Sequence, residues 1–164
     1  MSAMAIASGQ RQRERAGAAA AMVARIARTE DDSVALGLRV VLAAVMFPHG
    51  AQHLLGWFGG FGYAGTHGWM VSIGIPGPLA TLAIVTELLA PLALLAGAFG
   101  RLAAAGLGAL LLVAATTHLQ NGFFMNWLGN QAGEGWEYHA LAIAIAAAIV
   151  VRGSGAWSVD RRLG

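Results

Sequence analysis

Polar and apolar positions in this chain do not alternate on a short period; they separate into long blocks. Apolar residues run over Val34–Phe58, from Pro76 to Gly97, over Leu102–His118 and over Trp136–Val151. Polar, glycine-rich or aromatic segments lie between them. A helix of a soluble bundle keeps a polar stripe for water. The stretch Leu102–Thr117 has no such stripe at any helical phase. Blocks of this size match the roughly 20 residues that an α-helix needs to cross a bilayer. The pattern predicts an all-α integral membrane four-helix bundle, with spans at about 34–58, 77–97, 102–119 and 136–151.

The punctuation agrees with these spans. Asp31, Asp32 and Ser33 are good N-cap residues for the first helix. That helix would be roughly 37 Å long, so it must tilt or reach into the headgroups. Pro76 and Pro78 suit a helix start, where a missing N–H costs nothing. Gly97–Arg101 is a tight turn between the second and third spans. The segments 59–75 and 119–136 read as outer loops, with Tyr63 and Trp69 suited to the interfacial belt.

Composition supports a lipid-facing exterior, since hydrophobic residues are 57% of the chain and charged residues 11%. Cysteine is absent, which excludes disulfides, cysteine-held iron–sulfur clusters and c-type haem attachment. All ten basic residues are arginine. They fall in residues 1–32, at Arg39, at Arg101, at Arg152 and in the 153–164 tail, and the two outer loops hold none. That is the positive-inside pattern for four spans with both termini cytoplasmic in a bacterial-type plasma membrane. Residues 1–32 are expected to be a cytoplasmic Arg/Ala-rich tail, flexible or lightly helical at the membrane surface. A secretory signal with Ala16–Ala24 as its core is the weaker reading, because that core is short. Small residues in the third and fourth helices suit close helix packing in lipid.

Ionisable groups inside a bilayer are costly, so each needs an account. Taking Phe58 and Pro76 as the outer ends, His49 lies about 13 Å and Glu87 about 16 Å below the surface. They share a depth and form the candidate proton-handling pair, with Glu87 and His49 as the candidate catalytic residues. His53 is one turn above His49 on the same face. His118, Glu137 and His139 lie near the outer ends of the third and fourth helices. With His53 they form a candidate ligand-binding cluster, and a merely interfacial position is the bland alternative for the histidines. Arg39, in the inner half, is a further candidate ligand-binding residue, expected to snorkel to lipid phosphate or to form a structural ion pair. Pro48 predicts a kink beside His49 that could open a pocket.

An ordered series of segments carries a resemblance. It comprises Arg39, then HGAQHLLGWFGGFG, the Gly-Ile-Pro approach to the second helix and TELLAPLALLAGAFGR with Glu87. NGFFMNW, GEGWEYHALA and GSGAWSVD follow. From Arg39 to Asp160 the chain resembles the DoxX family of small four-helix membrane proteins. The resemblance implies a bundle linked to redox or sulfur metabolism, some relatives being small subunits of a thiosulfate:quinone oxidoreductase. Many relatives carry Lys where this chain has His53, so a permanent charge there is lost.

The leading expectation is therefore a quinone-linked redox component, with quinone the candidate cofactor. A non-catalytic membrane subunit of a redox complex is the alternative, followed by a proton-coupled small-solute transporter built as an oligomer. No compact metal-ligand motif is present, which places metal or b-haem binding last. The expected partners are the lipid bilayer, a soluble or membrane redox protein and a second copy of the chain; nothing calls for nucleic acid.

Overall fold

The computed structural model describes residues 3–164, with side chains from residue 10; the first two residues of the predicted tail lie outside it. Seven α-helices follow in order: α1 (Ala3–Ala27), α2 (Ser33–Leu55), α3 (Gly62–Ser72), α4 (Gly77–Ala96), α5 (Gly100–His118), α6 (Glu137–Arg152) and α7 (Asp160–Leu163). No strand occurs among the described residues. Among the described residues three helices are long and apolar enough to cross a membrane: Ser33–Leu55, Gly77–Ala96 and α5 with the turn after it, to Asn121. Their mean hydropathies are 1.7, 2.1 and 1.8. The 16-residue α6 is about 24 Å long, short of the hydrocarbon core.

α2 packs on α4 and α6, and α5 packs on the same two helices, so the four close into a ring. Leu42, Met46, Leu94, Leu107, Leu111 and Ile149 fill its centre. Successive ring helices run antiparallel. One end of the bundle gathers Arg39, Arg101 and Arg152; the other gathers the loops rich in Trp and Phe. We call these the arginine end and the aromatic end.

Helix boundaries follow local chemistry. Asp32 caps α2, its Oδ1 accepting from Val34 N at 2.8 Å and Ala35 N at 3.1 Å. The first span stops at Leu55 rather than Phe58, because Gly56 takes the left-handed conformation that terminates a helix. The segment read as a glycine-rich loop contains α3, which is held by packing on α2 and α4 rather than by propensity. α1 is helical over the region expected to be flexible or lightly helical, and it lies against α5 and α7.

The hydrogen bond from Ala35 N, with the Arg152 guanidinium nearby, holds the Asp32 carboxyl below its ordinary value of 3.8. A lowered folded-state pKa gives stability that is present above the unfolded value and lost as pH falls through the folded one. Asp32→Ala is therefore expected to lower the thermal midpoint at neutral pH. Its deficit relative to the parent protein should shrink as pH drops below about 3.8. A deficit equal at both pH values would remove the carboxylate from this role.

Candidate functional site

The arginine end is closed by a polar knot. Arg39 is 1% exposed and donates five hydrogen bonds, all to backbone carbonyls. Nε reaches Ser154 at 2.8 Å; Nη1 reaches Leu94 at 2.5 Å and Leu95 at 2.8 Å. Nη2 reaches Ala156 at 3.1 Å and Trp157 at 2.8 Å. A guanidinium has five N–H donors in a fixed fork, so none remains for a ligand. The snorkelling position, the direct ion pair and the ligand-binding role expected for Arg39 are all corrected: the side chain turns inward and pins α4 and the 153–160 segment to α2.

Asp160, also 1% exposed, completes the knot. Its carboxylate accepts from Phe99 N at 2.6 Å, Gly100 N at 2.9 Å and Ser154 Oγ at 2.5 Å. It thereby caps the start of α5 and supplies negative charge near Arg39. Phe99 and Trp157 both sit at positive φ, 50° and 49°. These costly conformations are each held by a hydrogen bond of the knot. Asp160 and Ser154 lie in the GSGAWSVD segment, where the sequence alone gives neither a role. The available signal was the buried-side arginine itself, whose five donors needed acceptors from somewhere.

The titratable groups of interest lie toward the aromatic end. Glu87 on α4 contacts His53 on α2, with Oε2 and Nδ1 at 2.5 Å. The expected Glu87–His49 pairing is corrected: the partner is His53, one turn further out. His49 and Glu87 do share a depth, since Gly50, next to His49, abuts the backbone of Glu87. Side-chain lean decides the partner. Helical side chains tilt toward their own N-terminus. α4 starts at the aromatic end, so Glu87 leans outward; α2 starts at the arginine end, so His53 leans inward to meet it. Pro91 lacks the N–H that would otherwise bind the Glu87 carbonyl, and that carbonyl faces Gly50.

A row of rings crosses from α2 to α5. His49 and Tyr138 are 6.1 Å apart between centroids, Tyr138 and His139 5.4 Å, and His139 and His118 4.6 Å. His118 Nδ1 donates to the Glu134 carbonyl at 2.9 Å. Tyr138 donates to Met46 Sδ at 3.1 Å. His139 is 7% exposed, and its Nδ1 has no hydrogen-bond partner among the described residues. Tyr138 was missed because a tyrosine at a helix start reads as an interfacial anchor.

Glu137 has a partner in the loop before α6. Its Oε2 accepts from Met125 N at 3.1 Å, so it orders the 119–136 loop. α2 is continuous through Pro48, so the expected kink does not break it. No group of three or more metal-ligating side chains occurs among the described residues.

Comparison with known proteins yields no match among curated proteins and none among solved structures. A family model, DoxX, matches residues 34–120, more than half of the chain. That span includes α2, α3, α4 and α5, and with them His53, Glu87, Arg39 and His118. With three apolar helices of membrane-crossing length, the chain is a membrane protein, and it belongs to the DoxX family.

Proposed function

We propose that this chain is a quinone-linked membrane redox component whose site is the His/Glu/Tyr row toward the aromatic end of the bundle. The observation that carries the reading is the buried His139 Nδ1 without a partner, at the middle of that row. An unpaired buried polar atom is costly and points to a missing hydrogen-bond partner.

A quinone ring offers two carbonyl oxygens, and it supplies two-electron, two-proton chemistry when bound. His139 Nδ1 and the exposed His49 are the donors suited to such an oxygen. His53 and Glu87 hold a proton between them at 2.5 Å and form the local proton reserve. Histidine suits this work because it changes protonation near neutral pH. His53 lies one helical turn beyond His49, which sets the α2–α4 contact beside the row.

The same reading takes α2, α4, α5 and α6 as four spans in a bacterial-type plasma membrane, with both termini cytoplasmic. α6 is short, but it closes the ring between α2 and α5, and its last carbonyls are bound by Arg101. The clustering of arginine at one end supports the orientation. A soluble or membrane redox partner would supply electrons, and a homo-oligomer is compatible with the exposed apolar faces.

The test is titration of detergent-purified protein with a short-chain benzoquinone, read by tryptophan fluorescence. Saturable binding is expected, weakened about ten-fold in His139→Ala, the worth of one lost hydrogen bond. No saturable binding by the parent protein overturns the proposal and leaves the non-catalytic subunit as the better reading.

A further inference from the structure

The groove between α1 and α5 has a composition that the redox reading does not use. Its floor is apolar, built from Met22 and Ile26 of α1 and Leu102 and Ala105 of α5, and its rim carries Arg25 and Arg101. Met22 and Leu102 are largely exposed, at 64% and 65%. In a membrane protein such a floor faces acyl chains.

Both rim arginines carry charge that no carboxylate of the bundle offsets among the described residues. At the same end of the bundle Arg152 pairs with Asp32, and Arg161 with Asp31 at 2.9 Å. Neither Arg25 nor Arg101 has a carboxylate within ion-pair distance among the described residues. Arg101 is held rigidly by the carbonyls of Val150, Val151 and Arg28. Those carbonyls fix its position without cancelling its charge. Arg25 is exposed on the last turns of α1, above the same floor.

We infer that this groove is a binding site for an anionic phospholipid, its phosphate between Arg25 and Arg101 and an acyl chain along Met22, Ile26 and Leu102. The shape decides against a free phosphate, which would gain nothing from an apolar floor beside the charges. Basic clusters at the cytoplasmic face of membrane helices attract anionic headgroups for the same reason. Occupancy would add to the contacts by which α1 lies against α5 and α7.

The experiment uses the full-length protein in detergent with added phosphatidylglycerol, phosphatidylcholine or inorganic phosphate, and counts retained lipid by native mass spectrometry. Phosphatidylglycerol is expected to be retained over phosphatidylcholine, and inorganic phosphate should not displace it. Arg25→Ala is expected to cut that preference about five-fold, from the worth of one arginine near an anionic surface. Arg25→Lys should largely keep it. Met22→Gln should weaken retention of both lipids, and Arg13→Ala, on the same helix outside the groove, should change nothing. Equal retention of the two lipids, or equal losses in Arg25→Ala and Arg13→Ala, overturns the inference. Displacement by inorganic phosphate overturns it in favour of a simple anion site.

Discussion

Replacing Arg39 by methionine is expected to destabilise the protein by about 3–5 kcal/mol, the cost of stranding a buried charge or its partners. Methionine fills similar space, so packing is not the main loss. The carbonyls of Leu94, Leu95, Ser154, Ala156 and Trp157 lose the Arg39 donors together. Asp160 stays buried with no cation nearby to offset it. The 153–160 segment should then detach, because Arg39 supplies three of the hydrogen bonds that seat it. Thermal unfolding in detergent reads the first effect. Limited proteolysis, with new cleavage after Arg152, reads the second. Arg39→Lys should fall between, since three ammonium donors cannot serve five acceptors. An unchanged midpoint with the tail still protected would mean that the knot is not what closes this end.

This expectation also marks how far the sequence could be read. The α2, α4 and α5 blocks were legible because each is a long apolar run with recognisable caps at Asp32, Pro76 and Gly97. α3 was not, because Gly62, Gly65 and Gly68 argue against a helix, and only contacts with α2 and α4 supply it. Depth along the helices was also legible: Gly50 does abut Glu87. Which histidine Glu87 meets was not, since that depends on opposite side-chain tilts on antiparallel helices. Arg39 shows the same limit in stronger form. An arginine early in a membrane helix has several plausible fates, and its acceptors lie 55 to 118 residues away in sequence. Non-local partners of that kind leave no periodic signature.

The second large effect concerns the seam between α2 and α4. Alanine for glycine inside an exposed helix normally stabilises by about 1 kcal/mol. Gly37→Ala in α2 should follow that rule, because a methyl there meets nothing within 4 Å. Gly50→Ala should reverse the sign. Its methyl would collide with the carbonyl of Glu87 and the Cα of Leu88, which are backbone atoms and cannot rotate away. The helices must separate, at about 1–3 kcal/mol for an overpacked contact. Gly50→Val should cost more than Gly50→Ala. Separation also pulls His53 from Glu87, whose contact spans the same seam at 2.5 Å. The Gly50 variants are therefore expected to lose stability and benzoquinone binding together, while Gly37→Ala gains stability and keeps binding. If Gly50→Ala were as stable as Gly37→Ala, α2 and α4 could not be packed backbone to backbone at this level. The Glu87–His53 contact would then need another explanation than the close approach that glycine permits.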